Sequence, residues 1–549
     1  MCGIAGVIMN NNKSPSLKDL KSMSESMSYR GPDDVGILRK KEFGLIQTRL
    51  SIRDLSQFGK CPMVSYDNRY YLVFNGEIYN WRRLKSDLIK LGYNFYSECD
   101  SEVVLNGYHA WNEKLLDKIE GMYAIAIWDD IDKVLFLSVD RIGEKPIYFH
   151  SGKDSFIFGS NPTTLTQCLK EKTIDNLAVA NFLSHGYLSK NITIWKEVKR
   201  LLPGTYLKKK LGDKHQIKTY WDLPKLAPKK VSYQLGINKV EQLLVKSVEK
   251  SLDADVPVGV FLSGGVDSSL ITSIASKFDK KIKAYSLGYE EQSFNELKYA
   301  DLVAKHLSVE QKQIILKQDQ VIKILPYLVE QYGQPFGDAS AIPTYFISKL
   351  AKKDVKVCLS GDGGDELFGG YNRYLIASKF WSSISKMPGP AKGMLTYLIK
   401  NIKPQSWDKI SNLFYKNKYS NFGFKLHKGA DTLESENIDD LYFNLISIIK
   451  KPSEWLIDSE EYSSPNYNFN PQISGIERMM IKDLTEKSKI KGRPHHPVKS
   501  YEDPWIVLKS IPDARIVNKQ LIVTNENKIL YGLQYHYLTQ PNLKKIEND

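Results

Sequence analysis

Apolar and polar positions divide the chain into two stretches of different rhythm. Over the first 205 residues, short β-type apolar runs at 3–8, 70–73, 124–128, 134–139, 147–149 and 156–158 alternate with polar turns. Helical spacing at 81–91 and 102–111 lies between them, and the mixture predicts antiparallel sheets layered with helices. Around 206–232 the composition becomes Lys- and Pro-rich, which reads as a linker. Beyond it the rhythm changes: helix 240–252, strand 256–262, small-residue helix 268–278, strand 283–287, helix 299–307 and strand 355–359. Strands alternating with helices predict βαβ units around a doubly wound parallel sheet. Residues 379–474 are aromatic, Lys-rich and helical in pattern. The expected division is therefore a first domain at 1–205, a linker at 206–235, a second domain at 236–485 and a tail at 486–549.

Composition alters this picture little. At 549 residues the chain is too long for one core, so two or three domains are expected. The start of the chain has no basic segment before its short apolar run, so it does not read as a signal peptide. No apolar stretch approaches the roughly 20 residues that span a bilayer. Five scattered cysteines without a CxxC pair point to reduced thiols and a cytoplasmic location. A net charge of +14, from 77 Lys and Arg against 63 Asp and Glu, invites a nucleic-acid reading. The lysines, however, fall in short clusters such as Lys208-Lys209-Lys210 without interleaved aromatics, so they read as solvated faces. Neither a nucleic acid nor a membrane is expected as a partner.

Chemistry enters at Cys2. Removal of the initiator methionine would leave this residue with both a thiol, of pKa about 8.5, and an α-amine of pKa about 7.7–8. A nucleophile and its general base would then share one residue. With Arg49-Leu50-Ser51-Ile52, Phe74-Asn75-Gly76-Glu77-Ile78-Tyr79-Asn80, Asp100-Ser101-Glu102, the Cys-Gly-Ile-Ala-Gly start, Arg30-Gly31-Pro32-Asp33-Asp34 and Asp140–Tyr148, the set resembles the class II glutamine amidotransferase domain, which implies free glutamine as substrate. An Arg fork holds a carboxylate bidentately, as Arg49 could hold the α-carboxylate. Asp100, helped by Glu77 or its backbone, could accept from the α-ammonium group. The Asn75 side chain and the Gly76 backbone N–H could stabilise the oxyanion formed on the side-chain amide. That resemblance implies an N-terminal-nucleophile αββα sandwich. One departure is Ile46-Gln47, where the family often has Gly-His.

In the second half, strand 256–262 runs into Ser263-Gly264-Gly265-Val266-Asp267-Ser268-Ser269 and then a helix. Glycines permit a tight turn whose N–H groups, with the helix N-terminus, cradle an anion. The loop lacks the GK[ST] of a Walker A motif. It looks like the pyrophosphate loop of enzymes that adenylate a substrate. A second turn, Ser360-Gly361-Asp362-Gly363-Gly364-Asp365, follows the third strand, so both loops can face one crevice. Asp267 and Asp365 could then supply oxygens to Mg²⁺. The pair of loops, with Tyr285–Tyr289 between, resembles asparagine synthetase. By that resemblance Leu262 and Leu287 flank the adenine nucleotide, Ser360 and Gly361 contact it, and Asp362 takes part in forming the acyl-adenylate. Asp338–Thr344 reads as an acceptor-side segment.

The resemblance implies an ATP- and Mg²⁺-dependent ligase with glutamine, aspartate and ATP as small-molecule substrates, and a homodimer. It covers about 2–480; after Met480 the family's pattern, including a catalytic lysine, is not matched, and the tail reads as divergent or truncated. Two other functions remain open on sequence grounds. One is an amidotransferase for another carboxylate, such as a polysaccharide uronic acid, since Gly333-Gln334 stands where many synthetases carry acidic residues. The other is a remnant that only hydrolyses glutamine or has no catalytic role.

Overall fold

The structure is a computed structural model, and it describes residues 1–12, 14–189, 191–222, 232–291, 295–371, 377, 380–415, 422–449, 452, 514–517 and 520–523. Most of the stretch beyond 480, including His495-His496, lies outside the described residues.

The first unit runs β1 (Gly3–Met9), α1 (Leu17–Glu25), β2 (Asp34–Arg39), β3 (Phe43–Arg49), β4 (Met63–Val64), β5 (Tyr70–Ile78), α2 (Trp81–Lys90) and α3 (Asp100–Trp111). It continues through β6 (Gly121–Asp129), β7 (Val134–Val139), β8 (Tyr148–Ser151), β9 (Ser155–Gly159), α4 (Pro162–Thr166), α5 (Asn176–His185), β10 (Lys199–Arg200), β11 (Thr205–Lys210) and β12 (Gln216–Thr219). Two six-stranded sheets result, in the orders β10-β8-β9-β1-β3-β2 and β12-β11-β7-β6-β5-β4.

Period-2 alternation explains the layering. On β1, Ile4 and Ile8 enter a core shared with Tyr71, Val73, Ala126, Trp128 and Leu137 of the other sheet. Ala5 and Val7 turn the opposite way, onto Leu20 and Met23 of α1 and Leu165 of α4. On β5 and β6, Leu72, Phe74, Ile125 and Ile127 face Trp81, Leu84, Val103 and Val104 of α2 and α3. The central strands of both sheets are buried on both faces, giving a helix–sheet–sheet–helix sandwich. β11 and β12 extend the second sheet through pairing with β7. This hairpin falls within the stretch whose composition reads as a linker, so the sandwich runs to about Thr219.

The second unit comprises α6 (Tyr233–Ser251), β13 (Val258–Phe261), α7 (Val266–Phe278), β14 (Lys283–Tyr289), α8 (Leu297–Leu307), β15 (Glu310–Leu316), α9 (Gln318–Tyr332), α10 (Ala341–Ala351), β16 (Val357–Leu359) and α11 (Gly364–Phe368). Its sheet is wholly parallel, in the order β15-β14-β13-β16. One face packs Val260 and Leu262 against Leu270, Ile274, Ala300 and Val303 of α7 and α8. Tyr285 on the other face meets Ala351, Ile347 and Leu350 of α10. Chain order reverses between β13 and β16, and at such a switch point the C-terminal strand ends open a crevice. A helical unit follows, with helices at Gly389–Asn401, Pro404–Tyr415, Phe422–Leu433 and Ile438–Ile446. No described helix is long and apolar enough to cross a membrane. All five cysteines are free thiols.

Candidate functional site

Two sites emerge, one in each unit. The first lies where β1 begins. Cys2 immediately precedes this central strand, and its Sγ accepts from the Leu50 N–H at 3.4 Å and faces the Leu50 carbonyl at 3.7 Å. Burial pushes the thiol up, while Arg49 pulls it down and Glu77 raises it, so these charges share its neighbourhood. The terminal amine, carried here by Met1, is lowered to about 6, chiefly by desolvation. Arg30 donates to the Cys2 carbonyl at 3.1 Å. The adjoining Gly31 permits this approach: a Cβ there would stand 2.2 Å from the Thr48 carbonyl carbon.

Arg49 ends β3, buried. Its Nη1 donates to the Ser56 carbonyl at 3.2 Å, and its Nη2 to the carbonyls of Arg53 at 3.2 Å and Asp54 at 2.5 Å. Three of its five N–H groups thus hold loop 50–56, which leaves the Nε–H and one Nη1 hydrogen for a ligand. Asn75 and Gly76 lie inside β5, paired with Ala124 and Tyr123. The Asn75 Nδ2 is buried and finds no acceptor among the described residues, an unusual state for an amide.

Two carboxylates complete the cluster. Asp100 opens α3 and accepts from the Ile78 N–H at 2.8 Å; burial pushes its carboxyl up. Glu77 is pushed up to about 8 by burial and then by Asp100, against the pull of Arg53. Arg53 donates to Glu77 at 3.3 Å from a side chain only 4% exposed. Sequence reasoning passed over Arg53: nothing in its local pattern distinguishes it from an exposed loop arginine. It likewise gave no separate role to Lys145, buried beside Met1 with its Nζ 3.2 Å from the Met1 sulfur.

The second site is a cavity of about 410 Å³ at the switch point between β13 and β16. Leu262, Ser263, Gly265, Asp267, Ser268, Leu287, Ser360, Gly361, Asp362 and Asp365 line it. Two residues expected there do not. Gly264, at φ +83°, turns against α8, where a Cβ would stand 2.5 Å from the Ala300 nitrogen. Ser269 is buried in α7, behind the loop. The loop is braced internally: Ser263 and Ser268 share a hydroxyl bond of 2.9 Å, and the Gly265 N–H donates to Ser263 Oγ at 3.2 Å. The second loop presses on the first through its glycines. A Cβ at Gly361 would lie 2.8 Å from the Ser268 nitrogen, and one at Gly364 2.7 Å from the Asp267 carboxylate. Ser360 donates to Asp362 at 2.9 Å.

Pro343 and Thr344, from the expected acceptor-side segment, and Tyr289, from the motif between the two loops, reach this cavity; Glu296 lines it without having been singled out. Burial pushes Glu296 up. Gln334 lies elsewhere, against the Tyr148 hydroxyl of the first unit at 3.5 Å.

The family description "Glutamine amidotransferase domain" matches residues 1–221, and "Asparagine synthase" matches 239–489. Glutamine-hydrolysing asparagine synthetase 1 of Bacillus subtilis strain 168 is 35% identical over 404 residues, 72% of this chain and 63% of that one. A Methanocaldococcus jannaschii protein assigned to the same kind of enzyme is 32% identical over 500 residues, 81% of this chain and 96% of its own. Among solved structures, the glutamine phosphoribosylpyrophosphate amidotransferase of B. subtilis with ADP and GMP is 14% identical with a TM-score of 0.31, covering 57% of this chain and 65% of that one. With a relative 32% identical matched along 96% of its length, the chain belongs to the glutamine-hydrolysing asparagine synthetase family.

Proposed function

We propose that the protein makes asparagine from aspartate, using ATP and the amide nitrogen of glutamine. The observation that carries the reading is the buried Asn75 Nδ2, without a partner among the described residues, in a unit that also sets Cys2 among Arg49 and Glu77. A buried donor without an acceptor is costly unless a ligand supplies one, and a developing oxyanion is such an acceptor.

With Met1 removed, the Cys2 amine would sit where desolvation already depresses an amine, ready to take the thiol proton. The thiolate attacks the glutamine amide carbon, the tetrahedral oxyanion forms against Asn75 and the Gly76 N–H, and the protonated nitrogen leaves as ammonia. A γ-glutamyl thioester remains, and water releases it as glutamate. Arg49 uses its remaining N–H groups on the α-carboxylate, while Glu77 and Asp100 receive the α-ammonium group.

In the second site the Gly265–Ser268 turn at the start of α7 offers backbone N–H groups to phosphates, and Leu262 and Leu287 supply apolar walls for the base. An aspartate carboxylate oxygen attacks the α-phosphorus and pyrophosphate leaves; ammonia then attacks the acyl carbon and AMP leaves. Asp267 and Asp365, both lining the cavity, suit Mg²⁺, which takes one or two carboxylates along with phosphate oxygens. When bound it would neutralise charge on the phosphates.

The test is to incubate the protein with ATP, Mg²⁺ and glutamine, with and without aspartate, and to measure pyrophosphate and asparagine. Aspartate-dependent release of both is expected. Glutamate formation with no pyrophosphate under any condition would overturn the synthetase half; absence of glutamate would overturn the glutaminase half.

A further inference from the structure

The loop that holds Arg49 is itself held from the other unit. Asp255 grips its backbone twice: the Asp255 N–H donates to the Ile52 carbonyl at 3.1 Å, and its carboxylate accepts from the Asp54 N–H at 2.7 Å. Asp253 accepts from Arg53 through its carboxylate at 3.1 Å and through its carbonyl, and it also meets Arg82. Lys356 reaches Asp33 at 2.6 Å and the Ser51 carbonyl at 3.5 Å, and the same Asp33 oxygen accepts from the Ser51 N–H at 2.8 Å. Asp253 and Asp255 lie between α6 and β13, and Lys356 directly precedes β16. These two strands carry the two glycine-rich loops at their far ends.

We infer that Asp253, Asp255 and Lys356 are positioning residues for the glutamine site, supplied by the ATP-binding unit. This rests on the glutaminase reading and adds residues to it. The carbonyls of Arg53, Asp54 and Ser56 grip the Arg49 guanidinium, and Arg53 grips Glu77. Loop 50–56 therefore orients both the group for the α-carboxylate and one of those for the α-ammonium. A freed loop would have to be ordered by glutamine itself, which weakens binding and spares the chemical step.

The experiment uses the full chain. Asp253→Ala, Asp255→Ala and Lys356→Met are compared with wild type for kcat and KM in glutamine hydrolysis, and for hydrogen exchange of the amides at 50–58. The expected result is a glutamine KM raised about tenfold, the ordinary scale of coupling between sites, with kcat nearly unchanged and faster exchange across the loop. Asp255→Asn, which keeps an acceptor for the Asp54 N–H, and Lys356→Arg should restore both readouts. Folded variants with wild-type KM and wild-type exchange would overturn the inference. Should Asp253→Ala fail to fold, Asp255→Ala and Lys356→Met decide separately. A wild-type protein that does not hydrolyse glutamine would overturn the glutaminase reading, while the exchange measurement would still decide whether the second unit holds the loop.

Discussion

At the scale of single residues, burial sets the states of the groups in the proposed glutamine site. Asn75 gives the sharpest case. Replacing it by Ala removes the one side-chain donor assigned to the oxyanion, so kcat for glutamine hydrolysis should fall about 10²–10³-fold with KM little changed. Steady-state glutamate formation measures this. Glu77 sets a pH dependence. Burial and Asp100 keep a proton on this carboxyl until about pH 8, whereas the α-ammonium group of glutamine favours the ionised form. As pH rises through that value, kcat/KM for glutamine should therefore rise, with a limb that belongs to the Glu77–Asp100 pair and not to one acid alone. The Cys2 thiol, pushed up by burial from an ordinary value already above that of Glu77, adds a separate rise at higher pH. Glu77→Gln should lower kcat/KM and leave only the thiol's part of the profile; an unaltered profile would contradict this role. Cys2, Arg49, Asn75 and Asp100 stand out in the sequence because their residue types suit the proposed chemistry at recognisable spacings. The sequence hid Arg53, whose importance comes from Glu77 and Asp253, distant along the chain by 24 and 200 residues.

At the scale of elements, glycines decide how closely the two loops at the switch point meet. Gly364→Ala would drive a methyl into the Asp267 carboxylate, and Gly264→Ala would strain a positive φ while meeting the α8 backbone. Both variants should lose ATP-dependent pyrophosphate release and keep glutamine hydrolysis, with Gly264→Ala also lowering thermal stability by about 1–3 kcal/mol. Activity assays and a thermal melt check them. The strands that the sequence made legible, such as β1, β6 and β7, are apolar because both faces are covered. Those it concealed carry charge for tertiary reasons. β11 reads Thr-Tyr-Leu-Lys-Lys-Lys, yet Lys209 is buried with its ammonium held by Asn10 and the carbonyls of Lys210 and Asp213. β15 opens with Glu-Gln-Lys-Gln because it is an edge strand of the parallel sheet. Asn75-Gly76 resembles a hairpin doublet, but Gly76 is needed inside β5, where a Cβ would stand 2.2 Å from the Met122 carbonyl.

At the scale of the whole molecule, the proposed reaction requires two units with separate chemistries to act on one nitrogen atom. Removing divalent metal with a chelator should abolish pyrophosphate release and leave glutamate formation intact, since the proposed thioester route uses side chains alone whereas Asp267 and Asp365 suit Mg²⁺ beside the phosphates. If ammonia passes between the units internally, an external ammonia trap should intercept little of the nitrogen while asparagine is being made; complete escape at each turnover would contradict a protected route. Contacts from Asp253, Asp255 and Lys356 to loop 50–56 join the units beside the proposed glutamine site. The most direct test of the division of labour is Cys2→Ala, assayed for asparagine with ATP, Mg²⁺ and aspartate. The predicted result is that glutamine no longer supports asparagine formation while added ammonia supports it at the wild-type rate. Continued synthesis from glutamine in that variant would contradict it.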